Sequence, residues 1–130
     1  MKKLIILCSV LFLFASVAAF KVEEKAEFKF VTETHDFGKI PQGKPVTVDF
    51  KFTNIGDEPL IISNIASVCG CTVPKYTNTP ILKGQSGTIT VTYNAAAMSF
   101  FSKGLTISSN AKTPTKVIYV KGEVVAAPAK

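Results

Sequence analysis

The sequence predicts an all-β, immunoglobulin-like sandwich of about seven strands, and three observations carry that prediction. Apolar and polar residues alternate in short runs, most clearly where Val46, Val48, Phe50 and Phe52 interleave with Thr47, Asp49, Lys51 and Thr53. That is the period of a strand with one face buried. Clusters of Gly, Pro and Asn interrupt these runs at intervals of roughly 8–15 residues, the rhythm of strands joined by turns. No window shows sustained helical periodicity between caps. An up-and-down barrel is the structural alternative, but the strands are too few and uneven for it.

The N-terminus stands apart from the domain. Met1-Lys2-Lys3 is a short basic start, Leu4 to Val17 is nearly all apolar, and Ser16-Val17-Ala18-Ala19 offers small residues for cleavage. This is the pattern of a secretory signal peptide over 1–19, leaving one domain over 20–130. A retained anchor is the rival, and the apolar run falls short of the roughly 20 residues a spanning helix needs. No membrane span is therefore expected after cleavage, and Cys8 leaves with the leader.

Val22 to Glu27 reads as a charged, mobile lead-in, and Phe28 to Val31 as a first strand. His35 to Ile40 follows, closed by the turn Pro41-Gln42-Gly43, and then comes the long alternating run already described. Asn54-Ile55-Gly56-Asp57-Glu58-Pro59 ends that run with turn chemistry: Asn bonds backbone locally, Gly takes positive φ and Pro fixes φ. Leu60-Ile61-Ile62 opens the next strand, whose alternation blurs through Val68, so a bulge is expected there. After Cys69 to Thr72 and Val73 to Tyr76, the turn Lys83 to Gly87 leads into Ile89, Val91 and Tyr93 alternating with threonines. Ala95 to Phe101 is an apolar connection, Leu105 and Ile107 alternate again, and Val117 to Val120 supplies the last strand.

Of 130 residues, 15 are Lys or Arg and 9 are Asp or Glu, a formal net charge of +6. All the basic residues are lysines, scattered rather than clustered. Readers of nucleic acid lean on the bidentate arginine fork, so a nucleic-acid partner is not expected and the charge reads as a solvated surface.

Cys69-Gly70-Cys71 is where reactive side chains gather. In an extended strand the two Cβ atoms would lie about 6–7 Å apart, against about 3.8 Å in a disulfide. A bridge needs the backbone to turn at Gly70. The residues permit a tight local disulfide, a two-thiolate site for a soft ion such as Cu(I), or two separate thiols. The spacing is not that of a thioredoxin-like motif, and two sulfurs with one imidazole, His35, leave a zinc shell half filled. His35 and Asp36 fall on opposite faces of a strand and do not make a base with its orienter. No metal and no cofactor is expected, the one metal alternative being a soft site of Cys69, Cys71 and Met98.

The ordered blocks His35-Asp36-Phe37-Gly38, Phe50 to Asn54 with Gly56 and Pro59-Leu60, Cys69 to Pro74, Gly84 to Gly87 and Ser109-Asn110-Ala111 resemble a known family. They are similar to the secreted, single-domain Ig-like proteins of Gram-negative bacteria catalogued as a domain of unknown function. The resemblance implies export, the sandwich fold and no assigned enzyme activity. It extends distantly to Ig-like modules of cilia and spindle-pole proteins, which act by binding. Where relatives carry a basic, Gly-containing connection, this chain has Ala95 to Phe100, so no polar role of that loop transfers.

Two functions are therefore open. The first is an exported, non-catalytic binding or structural module of the bacterial envelope, periplasmic or secreted, with a protein or envelope component as partner. The second is a thiol-based redox or Cu(I)-handling protein working through Cys69 and Cys71. For the first, connections in a sandwich alternate between its ends, so the turn at Gly43, the cysteine turn and Ala95 to Phe101 should share one end. Phe101 should plug the core there, leaving Met98 and Phe100 as an exposed contact tip.

Overall fold

The structure, a computed structural model, describes residues 24–128; the leader expected over 1–19, with Cys8, lies outside them. Among the described residues eight strands form: β1 Phe28–Phe30, β2 Thr34–Pro41, β3 Val46–Asn54, β4 Ile62–Ser67, β5 Thr72–Tyr76, β6 Ser86–Tyr93, β7 Phe100–Ser109 and β8 Thr115–Val125. They make two four-stranded sheets, ordered β1-β3-β6-β5 and β2-β8-β7-β4, packed face to face as a sandwich. The all-β expectation holds, with an eighth strand where the Phe28 region and the His35 region join different sheets. β1 pairs antiparallel with the lower part of β3, and β2 crosses to the other sheet and runs parallel to β8.

The alternation read from the sequence faces the core as expected. Phe50 and Phe52 of β3, Ile89 and Val91 of β6, Leu105 and Ile107 of β7, and Ile118 and Val120 of β8 are all buried. Burying a side chain of this size contributes about 1.5–3 kcal/mol, and this layer is what holds the sheets together. The bulge expected in β4 sits between Ile62 and Asn64, and Leu60 pairs with Ile81 as an isolated bridge ahead of the strand.

Three expectations are corrected. β1 stops at Phe30, because the chain leaves for the other sheet once Val31 N–H has bonded Lys51 C=O at 3.0 Å. β8 runs to Val125 rather than ending at Val120: Lys121 and Glu123 face outward, Gly122 lies inward against the Phe101 ring, and Val124 is buried. The lead-in is docked over Glu24 to Glu27. Ala26 is buried, its carbonyl accepts from Lys112 N–H at 2.7 Å, and Glu24 exchanges bonds with Asp57.

The strand directions define two ends. The connections at 55–61, 77–85 and 110–114 lie at the lower end, with the lead-in. Asn54, fully buried, holds that end together: its Nδ2 donates to Glu58 and Ile81 carbonyls at 2.8 and 2.9 Å, and its Oδ1 accepts from Gly56 and Glu27 N–H. Asn110 does the same for Pro59 and Ile61, both at 2.8 Å. Gly56 is required because the lead-in passes over it: an added Cβ would sit 2.0 Å from Lys25 C=O.

Candidate contact site

At the upper end three connections meet, 42–45 between β2 and β3, 68–71 between β4 and β5, and 94–99 between β6 and β7, beside the exit of β8. They are tied by backbone bonds. Gly43 N–H donates to Ala95 C=O at 2.9 Å, Asn94 N–H to Cys71 C=O at 2.9 Å, and Gln42 N–H to Val125 C=O at 2.8 Å. Gln42 Nε2 adds a bond to Ala96 C=O at 3.0 Å. Gly43 takes φ +81°, a value its missing Cβ makes easy, whereas Ala95 holds φ 55° without that freedom. Ala95 stays there because its methyl is fully buried, its carbonyl is bonded to Gly43, and Asn94 Oδ1 accepts from Ala96 N–H.

Beneath these turns lies a small second core of Ile40, Tyr93, Ala95, Phe101 and Val124, with Phe37, Val46 and Cys71 packed against it. Phe101 is 6% exposed and stacks on Tyr93 with ring centroids 4.0 Å apart. Its neighbours face water: Met98, in the connection, is 56% exposed and Phe100, the first residue of β7, is 79% exposed. Val68, in the cysteine connection at the same end, is 76% exposed.

Cys69 and Cys71 are joined as a disulfide, their Cα atoms 5.2 Å apart, with the turn at Gly70 between them. Ser67 Oγ donates to Cys69 C=O at 2.8 Å, and the buried Thr72 hydroxyl donates to Cys71 Sγ at 3.8 Å, since a bridged sulfur has no proton to give. Among the described residues no group of three or more His, Cys, Asp and Glu side chains converges. His35 is half-buried and stands edge-on to Phe37 at 4.6 Å, and Asp36 Oδ1 accepts from Gly38 N–H at 2.8 Å.

Beside Phe100, on the outer face of β2, β8 and β7, lies a groove of about 370 Å³. Register places Asp36 against Lys121 and Lys39 against Glu123 along its sides, with Phe100 opposite Glu123. Of these, the sequence singled out Asp36 only beside His35, and Lys39, Lys121 and Glu123 not at all. The pairing of β2 with β8 brings them together across more than 80 positions of chain, roughly, and no local pattern encodes it.

A model of the family described as "Protein of unknown function (DUF1573)" matches residues 28–124. No curated protein matches the sequence. Among solved structures, the chain is similar to a protein of unknown function from Porphyromonas gingivalis W83, with a TM-score of 0.69 at 16% identity over 84% of this chain and 51% of that one. The chain thus spans about half the length of that protein. It is also similar to the ASH/PapD-like domain 7 of human CEP192, with a TM-score of 0.65 at 10% identity over 87% of this chain and 98% of that one. The secreted serine protease VesC from Vibrio cholerae gives 0.59 at 20% identity, over 80% of this chain and 24% of the protease. At these identities the likeness is one of fold.

Proposed function

The chain belongs to the DUF1573 family, whose function is unknown, and on that premise we propose that it is an exported, non-catalytic binding or structural module of the bacterial envelope. Its contact site is the upper end, where Met98 and Phe100 project beside the Gly43 turn and the Cys69–Cys71 turn. The observation that carries this reading is the exposure of Phe100 where β7 begins. Phe101 turns inward to close the core while Phe100 next to it stays 79% exposed. A side chain that contributes little to folding but offers area at low entropic cost suits a contact with a partner. The disulfide supports export, because such bonds persist in oxidising compartments. It also favours a structural role for Cys69 and Cys71 over a Cu(I) role, which needs both sulfurs reduced.

A photo-crosslinking residue placed at Phe100 in the exported protein tests the site. A discrete product at position 100, absent when the same residue replaces Thr79 at the lower end, supports it. Equal labelling from both positions, or none from position 100, removes the upper end as the contact site.

A further inference from the structure

We infer that the upper half of β3 is a docking edge for an extended peptide strand, which would pair with the free backbone groups of Thr47 and Asp49. The inference deepens the binding reading by naming the partner's chemistry, and it rests on that reading only in taking the chain for a binder.

Alternate residues of a strand aim their N–H and C=O groups to opposite sides, and the bonds of β3 fix which is which. Asn54 N–H reaches Gln85 C=O on the β6 side, while Lys51 C=O and Ile55 N–H bond Val31 and Glu27 on the β1 side. Thr47 and Asp49 therefore turn their backbone groups toward the β1 side. β1 has only three residues and pairs no higher than Phe52. Above it the chain has crossed to the other sheet as β2, and among the described residues the Thr47 and Asp49 backbone groups have no bond on that side. Unpaired N–H and C=O groups on a strand edge form a template for another strand.

The other sheet edges are blunted. On β5, Cys71 C=O bonds inward to Asn94, which turns Pro74 outward and leaves that edge without an N–H at its centre. The pairing of β2 shifts register between Asp36 and Lys39, and that of β4 between Ile62 and Asn64. β3 instead pairs with β6 without a shift from Val46 to Thr53, so its outer edge is straight.

Side chains point to the same missing strand. Val46 and Val48 face inward with Phe50 and Phe52, yet both are only half-buried, whereas Ile89 and Val91 on the neighbouring strand are fully buried. Phe37 of β2, also half-buried, packs against the same two groups of core residues. A strand laid along Thr47 and Asp49 would cover this seam with every second side chain. The occupant is accordingly an extended segment with alternating apolar residues, held by main-chain bonds.

The probe is a capped hexapeptide of alternating valine and threonine, added to the folded protein while amide exchange and chemical shifts are followed by NMR. The Thr47 and Asp49 amides should exchange freely alone and slow about tenfold or more in the presence of the peptide. A peptide N-methylated at every residue, which has no edge with a free N–H, should fail to protect them. Thr47→Pro removes an outward N–H together with one exposed hydroxyl bond to Thr92, and should fold yet lose the peptide, while Phe100→Ser should keep it. Thr47 and Asp49 amides unchanged at about 1 mM peptide would overturn the edge. Binding lost in Phe100→Ser but kept in Thr47→Pro would also overturn it, while leaving the tip as the contact site. If Thr47→Pro does not fold, the fully N-methylated peptide decides: equal protection by it and by the unmethylated peptide overturns the proposal.

Discussion

At the lower end of the sandwich, Asn54 and Asn110 join three loops and the lead-in through side-chain amides buried or pressed against backbone. At the upper end the loops meet through backbone bonds and an aromatic plug, and apolar side chains stand in water above it. The contrast separates two duties. Polar side chains spent on bonding loops to one another fix the lower end, where Ile55, Ile61 and Leu82 are 43–54% exposed, against 56–79% for Val68, Met98 and Phe100 at the upper end. An end closed from within by Phe101 and Tyr93 leaves the side chains above free for a partner. The same fold thus holds itself together at one end and presents surface at the other.

The largest loss should come from the lower end. Asn54→Ala strands two carbonyls and two N–H groups away from water, each costing about 1–3 kcal/mol, so a loss of about 4 kcal/mol is expected by urea unfolding. An effect below about 1 kcal/mol would mean that water replaces the amide and that the two ends do not differ. Phe101→Ala follows at about 3–4 kcal/mol, the cost of emptying the plug beneath the upper loops. That plug is the one feature at the upper end expected to matter this much for stability.

Replacing Cys69 and Cys71 together by Ser should cost only about 1–2 kcal/mol, because so short a closed loop restrains the unfolded chain little. The backbone bonds of Cys69 and Cys71 should hold the turn in place, so crosslinking from position 100 should persist in this variant. Loss of that crosslink with the fold intact would give the disulfide a direct part in the contact.

Smaller still is the ion pair of Lys83 with Asp57, at 2.6 Å on the lower surface. The hydrogen bond to Asp57, and then its charge, hold the Lys83 ammonium above its ordinary pKa. Its contribution is therefore complete below the unfolded lysine pKa and lost as pH rises through the raised value. Lys83→Ala and the parent should differ slightly in melting temperature at neutral pH and converge in strong alkali. A difference that grew with pH would reverse the assigned sign.

Much of the fold was legible because β3 and β6 alternate so regularly that Phe50, Phe52, Ile89 and Val91 could face only one way. The sharing of one end by Gly43, the cysteine turn and Met98 follows from counting connections. Other features needed three dimensions. Asn54 reads in sequence as a turn residue, and it is also the buried centre of the lower end; an Asn closing an apolar strand two residues before a Gly was the available signal. The crossing of β2 to the other sheet has no local signature, and the open edge of β3 and the charged rows beside Phe100 both depend on it. Gly122 between Lys121 and Glu123 looks like the end of a strand, and its lack of a side chain is what lets the Phe101 ring lie against β8.

The division of duties is tested most directly by the melting temperature of the double variant Met98→Ser, Phe100→Ser. Exposed side chains away from the core change stability by about 0.5 kcal/mol or less each. The melting curve should therefore lie within a few degrees of the parent's, at about 4–8 °C per kcal/mol for a domain of this size. A fall of about 15 °C or more would show that Met98 and Phe100 close the core as Phe101 does, and the upper end would lose its claim to be the contact surface.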